Sequence, residues 1–434
     1  MQIPKFSILL KYHILLAVLL NFIPQLFIVH LYVFFAAYFY LLITSFGNFR
    51  KFKHYFLIGF LYFPISEAIG RLHSLNPLVP WEFGKYMSIF FVLVLLFSGR
   101  MVFGLRFALG VLLILLTIIN GDTTWKLIFF NGSVIYCILL MGDFFKSLSM
   151  NATKLMLYLR FASLPLIVFL FSSINKLNDF EPEKIDLTSQ FILDDIPANQ
   201  IATYTGFGFF LLLIFFKNKI IFGLNQWQKV LIAFGFLIVG IISFSRGGIA
   251  VGIIGVVVLY FNNIRNLFQL KNLKQILILL PLLFFIVFYI NKISNGNLLL
   301  RYQGETKGTI AGSKERGINT LTTNRYNILL GDLNTFANHM VTGVETGRSN
   351  EYRYESNRQY SHVEFSRLMA EYGIAGLLVS ILFLFELFNK KSALIRALYV
   401  VGLLTTMHAA TRTALPLVLL LISRVRLKKE RIVN

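Results

Sequence analysis

Fourteen apolar runs follow one another along the chain, at approximately 7 to 23, 25 to 46, 55 to 70, 86 to 99, 102 to 119, 125 to 142, 155 to 174, 200 to 216, 229 to 245, 248 to 261, 275 to 291, 363 to 388, 393 to 410 and 412 to 423. A bilayer core of about 30 Å takes roughly 20 apolar residues as a helix, fewer where the interface thins. The succession therefore predicts an all-α polytopic membrane protein, one integral domain over residues 1–434, with 12 to 14 transmembrane helices. The last two runs together allow a broken or re-entrant element, which is why the count is a range. Composition agrees: 56% of residues are hydrophobic, 14% are charged and the mean hydropathy is +0.70. The run after Lys5 continues past Pro24 into the next without a small-residue cleavage site, so the first helix is expected to be its own insertion signal. The lone Cys137 excludes a disulfide framework.

The formal charge of +21 raises the question of nucleic acid, and its location answers it. With the N-terminus in the cytoplasm and sides alternating, the inner loops contain "NFRKFKH", "KSLSMNATK", "KNK", "NIRNLFQLKNLK", "NKKS" and "RVRLKKER". Assigned by nearest side, 24 Lys/Arg and three acids (Asp143, Glu386, Glu430) fall inside, against 17 and 17 outside. The whole excess is cytoplasmic, as the positive-inside rule requires, and a nucleic-acid partner is excluded because such a face would not alternate with hydrophobic runs.

Two outer connections are long, residues 175–200 and 292–361. Connections beyond about 15 residues in a compact protein tend to carry function. In the second, "NRYNILLGDLNTFANHM" spaces its apolar positions for a short amphipathic helix on the membrane or on the bundle, so an ordered external cap is expected.

Three groups of polar residues share that outer side. In "SFSRGG", Arg246 ends one span and Gly247-Gly248 begin a tight return, a combination of cation and backbone amides suited to an anion. An arginine snorkelling at a helix end would look the same. The long loop interleaves Arg301, Arg316, Arg325, Arg348, Arg353 and Arg358 with Tyr302, Tyr326, Tyr352, Tyr354 and Tyr360, pairing guanidinium forks for phosphate oxygens with flat faces for sugar rings. In "SHVEFSRLMAEYGIAG", Glu364, Arg367 and Glu371 form one stripe at i,i+3 and i,i+4, while His362, Ser366, Met369, Gly373 and Gly376 occupy a face of mostly small residues. Helix-end pairs are also spaced at His408/Arg412 and Glu67/Arg71, and either could line a cavity. There is no HExxH, CxxC, Walker loop or Asp-rich pair, so neither a metal nor a bound cofactor is expected.

Residues 235 to 390, through "SFSRGG", "NRYNILLGDLNTFANHMVTGVETG" and "SHVEFSRLMAEYGIAGLL", resemble the O-antigen polymerase and O-antigen ligase superfamily, membrane glycosyltransferases that use polyprenyl diphosphate-linked glycans. The resemblance implies a GT-C-like bundle, no metal, diphosphate-binding arginines at Arg246 and Arg325, and a base at His362. The family has Asn after that histidine; here Val363 stands there, and Glu364 is the candidate replacement as a polar catalytic partner. Arg301, Tyr326, His408 and Arg412 are candidate substrate-binding residues. "RYQGETKGTIAG" also fits an Arg, ten residues, Gly pattern of polymerase loops.

The implied reaction is polymerisation of a surface polysaccharide outside a bacterial inner membrane. Its implied partners are an undecaprenyl diphosphate-linked oligosaccharide donor, a glycan acceptor, membrane lipids and a chain-length regulator. The nearest alternative is the ligase, with lipid A-core as acceptor. A transporter or flippase of lipid-linked oligosaccharide would instead show internal repeats, interrupted helices and mid-membrane ionisable groups, for which His13 and His30 are the main mid-run examples. A structural scaffold would not need its arginine and histidine motifs on one side.

Overall fold

The computed structural model describes residues 5–120, 124–176, 192–193, 196–217, 224–243, 245–261, 270–305, 310, 317, 322, 325–353, 363–409 and 412–428. Among them lie sixteen helices. In chain order they are α1 (Phe6–Leu20), α2 (Leu26–Thr44), α3 (Phe49–Leu72), α4 (Phe83–Phe97), α5 (Leu105–Ile119), α6 (Trp125–Ser147), α7 (Ala152–Lys176) and α8 (Ala198–Lys217). There follow α9 (Gln226–Ile242), α10 (Arg246–Tyr260), α11 (Leu270–Ile293), α12 (Asn297–Tyr302), α13 (Arg325–Asn338), α14 (Glu364–Phe388), α15 (Ala393–Ala409) and α16 (Leu415–Ile422). Each of the fourteen apolar runs carries one helix, and α12 and α13 belong to the long connection.

Polar punctuation sets several boundaries. The Asn48 side chain accepts from Lys51 N–H at the start of α3, and Asn225 and Gln228 form a reciprocal capping box at the start of α9. The resulting bundle is an all-α membrane protein by its surface: Phe22, Phe97, Phe284 and Phe388 are all more than 70% exposed, while charged side chains such as Glu67 and Arg367 are buried. Water would penalise that arrangement and lipid favours it. By length and composition α2, α6, α7, α8 and α14 are each long and apolar enough to cross a membrane.

The bundle has two polar ends. At one, Ser149–Met150 (β1) pairs in parallel with Arg426–Leu427 (β4), His54 Nδ1 meets Tyr158 Oη at 3.1 Å, and Lys390 Nζ donates to Ser423 O at 3.2 Å. Four basic segments, 48–54, 146–154, 389–392 and 424–428, are thus tied together at one end. At the other end Arg71, at the close of α3, donates to Gln200 Oε1 at 2.9 Å and to Arg412 O at 3.3 Å. Of the 175–200 connection, Ile192–Leu193 (β2) pairs antiparallel with Ile196–Pro197 (β3), which precedes α8, and residues 177–191 and 194–195 lie outside the described segments.

Two features depart from a bundle of simple rods. The α16 helix has all eight residues buried and about 12 Å of rise, too short to cross a bilayer core by itself. The α14 helix is broken at Gly373 (φ 56, ψ −135), where a side chain would run into the backbone of Met340. The long connection fills the break: Ile374 N–H donates to Met340 O at 2.7 Å and Val344 N–H to Ala370 O at 2.9 Å. Backbone groups opened in an apolar setting need such partners, so residues 339–353 belong to the bundle as much as to a cap.

The mid-run histidines are accounted for. His13 Nε2 and His30 Nε2 both meet Tyr62 Oη, at 2.8 and 2.7 Å, and His13 Nδ1 reaches Leu9 O at 2.7 Å. A shared hydroxyl gives each ring a partner away from water.

Candidate functional site

Small residues place the "SFSRGG" motif. On α10 a side chain at Gly248 would collide with the backbone of Ala202 on α8, and one at Gly206 with Gly248 O. Backbone-to-backbone approach of this kind is how helices associate in lipid. It sets the α10 N-terminus beside the end of α15, where Gly247 leaves the space that the His408 ring fills. The two glycines are therefore packing positions inside the first turn of α10 more than a free amide nest. Ser245, at the N-cap, makes no capping bond with its side chain. Its hydroxyl meets His408 Nε2 at 3.2 Å.

Arg325, the first residue of α13, converges on the same histidine. Its two terminal nitrogens lie 3.4 Å from His408 Nδ1, and they donate to Met407 O and His408 O, also at 3.4 Å. A guanidinium only donates, so Nδ1 is the acceptor and the imidazole proton sits on Nε2, facing Ser245. The His408 ring thus lies between hydroxyl and guanidinium. All four Arg325 contacts are long for N–H···O bonds and hold the cation loosely. Among the described residues no carboxylate pairs with it. Burial first, and then the charge of Arg246, pull its pKa below the ordinary arginine value. Arg246 donates to Tyr302 O at 3.1 Å, at the end of α12. Two like charges therefore stand close enough to repel in a partly buried setting, an arrangement that an anion of two or more charges would relieve.

Alongside lies a closed network. Arg71 is ion-paired with Glu67 one turn back and donates to Trp81 O at 2.8 Å, while Glu67 Oε2 accepts from Gly84 N–H at 3.1 Å. Lys85 is buried, donates to Phe130 O and lies 3.8 Å from that ring's centroid. Arg412 belongs to this network through its backbone and lies beyond the end of α15, so His408/Arg412 is not a helical pair. Helical hydrogen bonds run from Ala414 to Arg424, about 15 Å of rise. The polar groups at the two ends of that segment are closer together than the thickness of a bilayer core, so they are recessed from at least one membrane surface.

The stretch at 361–376 is divided. His362 lies outside the described residues. Glu364, Arg367 and Glu371 form the stripe their spacing predicts: Arg367 is ion-paired with Glu364 and lies 2.9 Å from Glu371, all three buried. Arg367 also donates to Asn131 O at 2.9 Å. The Glu364 carboxylate is thus shared with a fixed cation. Beside the stripe, Arg353 pairs with Asp332 at 2.7 Å, and Ser366 Oγ donates to the same carboxylate at 2.7 Å. Thr117, Tyr136, Tyr372 and Thr346 complete a chain of hydroxyls at 2.7 to 3.2 Å.

Of the remaining candidates, Tyr326 is exposed, and Arg301 lies on α12 with its side chain outside the described atoms. The α13 helix docks on the bundle, and its buried face holds Asp332 and Thr335 beside Ile328, so apolar spacing alone would misjudge what that face contacts. Lys85 is a further buried cation, and its mark in the sequence is a charge one position before the apolar run that begins at 86. Among the described residues no group of three His, Cys, Asp or Glu side chains could hold a metal. No family model matches this chain, and no curated protein matches it.

Proposed function

We propose that the chain is a metal-independent membrane glycosyltransferase of the O-antigen polymerase type, transferring a glycan from a polyprenyl diphosphate carrier to the hydroxyl of another lipid-linked repeat unit. The observation that carries this reading is the convergence of Arg246 and Arg325 at one end of an apolar bundle, with Arg325 loosely held and without a carboxylate partner among the described residues.

In the proposed step the acceptor oxygen bonds to the anomeric carbon as the bond from that carbon to the diphosphate breaks. The hydroxyl proton goes to a base, the role assigned to His362, and the diphosphate leaves with the bonding electron pair. Arg246 and Arg325 stabilise the charge that grows on the leaving group, a contribution typically worth about 10²- to 10³-fold in rate for one well-placed donor. Arg301, Tyr326 and Arg412 are proposed to contact substrate, with the site on the periplasmic side of a bacterial inner membrane and the basic end in the cytoplasm. The ligase reaction uses the same chemistry with lipid A-core as acceptor.

The break at Gly373 and the buried Glu364–Arg367–Glu371 stripe favour a second reading, a lipid-linked oligosaccharide transporter, since interrupted helices and buried ionisable groups accompany alternating access. Purified protein with polyprenyl diphosphate-linked repeat units distinguishes the readings. A ladder of longer glycans supports polymerisation, and a single addition to lipid A-core supports the ligase. Movement across vesicles without a new glycosidic bond would replace both with the transporter.

A further inference from the structure

At the end of the bundle opposite Arg325, a cavity of about 440 Å³ opens between the ends of α14 and α16 and the start of α15. That volume falls in the range of small-ligand sites. Six cations line it, Arg106, Lys146, Lys390, Lys391, Arg424 and Arg426, against one lining carboxylate, Glu386.

Part of this charge is structural. Arg106 holds Asp143 and Glu386 at 2.6 Å, and Arg424 holds Glu386 at 2.9 Å and donates to Ile138 O at 2.9 Å. These pairs fasten α5, α6 and α14 to the segment after α16. Helix dipoles account for a little more, because Lys390 donates to the Ser423 carbonyl at the end of α16 and its ammonium lies 4.0 Å from Glu386. What remains is unbalanced. Among the described residues no carboxylate pairs with Lys146, Lys391 or Arg426. Arg424 is only 4% exposed, and its Nη2 has no hydrogen-bond partner among the described residues.

We infer that this cavity is a binding site for a phosphate-bearing anion, supplied either by an anionic phospholipid headgroup or by free phosphate. Its acceptor oxygens meet the ammonium groups of Lys390 and Lys391, with Lys146 and Arg426 closing the rim and the buried Arg424 adding positive charge behind it. Burial, opposed by Glu386 and assisted by Arg424, Arg106 and Lys146, pulls Lys390 down to about 8, the direction expected where a cation lacks sufficient counter-charge. The site is independent of the proposed transferase chemistry.

The test uses the full-length protein and the triple variant Lys390→Gln/Lys391→Gln/Arg426→Gln, which leaves the Arg106–Glu386–Arg424 ion pairs in place. Thermal stabilisation and lipid retention are measured with phosphatidylglycerol or phosphatidylcholine nanodiscs, and separately with inorganic phosphate in detergent. Phosphatidylglycerol selectivity supports the headgroup source, and stabilisation by inorganic phosphate supports the free-anion source. In either case affinity is expected to fall about fivefold per cation removed, on the order of a hundredfold for the triple variant. Lys126→Gln, which removes an exposed cation at the start of α6 outside both sites, is expected to leave this binding unchanged. Equal binding by wild type and triple variant, no effect of either probe, or an equal loss of binding in Lys126→Gln would overturn the assignment.

Discussion

Arg367 and Arg325 are both arginines near the start of a helix in the latter part of the chain, and their surroundings are opposite. Arg367 is buried between Glu364 and Glu371 with a third bond to Asn131 O. Arg325 touches an imidazole and two helix-end carbonyls, all at 3.4 Å, and shares its surroundings with Arg246. Removing either partner of a closed buried pair strands a charge, so Arg367 serves the fold. Few bonds are lost when Arg325 turns toward a ligand, so its charge remains available. Arg367 is locked between two carboxylates and Arg325 is held only by long contacts to neutral groups, a distinction composition cannot make.

The largest expected effect breaks the closed member. Arg367→Ala leaves Glu364 and Glu371 buried without their cation and should cost about 3–5 kcal/mol, seen as loss of the monodisperse peak or a sharply lowered Tm. A variant as stable as wild type would show that the stripe is not holding the bundle. Arg325→Ala should do the reverse, changing stability by less than about 1 kcal/mol while lowering transfer from a lipid-linked donor by about 10²- to 10³-fold. Full turnover in that variant would remove Arg325 from the leaving-group site.

Gly373→Ala tests the break that carries the stripe into the bundle. Its backbone conformation and the nearby Met340 backbone predict a cost of about 1–3 kcal/mol in thermal unfolding. An unchanged Tm would mean that the break relaxes without strain. The smallest effect belongs to the opposite end. Lys390 is charged below about 8, so affinity for phosphatidylglycerol, whose phosphodiester charge is constant over this interval, should decline as pH rises from 7 to 9. The decline should stay under about tenfold, because Lys390 is one of six cations lining the cavity. Affinity that rises over this interval would contradict a cationic role for Lys390.

Much of this comparison was legible in the sequence. The apolar runs located fourteen helices, and i,i+3 and i,i+4 spacing found the Glu364–Arg367–Glu371 stripe and the Glu67–Arg71 pair, because local periodicity determines both. "SFSRGG" pointed to Arg246, although the glycines act through contact with Ala202 and His408, partners 40 or more positions away. The meeting of Arg325 with His408 and the insertion of residues 339–344 at Gly373 are set by tertiary packing, to which spacing along one helix is blind. Asp332 was hidden for a related reason: its position on an amphipathic helix gave no hint that Arg353 would neutralise it inside the protein.

The central claim is that Arg325 and Arg246 receive a diphosphate, and the most direct measurement is binding of undecaprenyl diphosphate to purified protein in nanodiscs, wild type against Arg325→Ala, with folding verified by Tm. The account predicts at least a tenfold weaker affinity in the variant, in line with about 1.5–3 kcal/mol for a charge-assisted hydrogen bond. Equal affinity in a folded variant would contradict it.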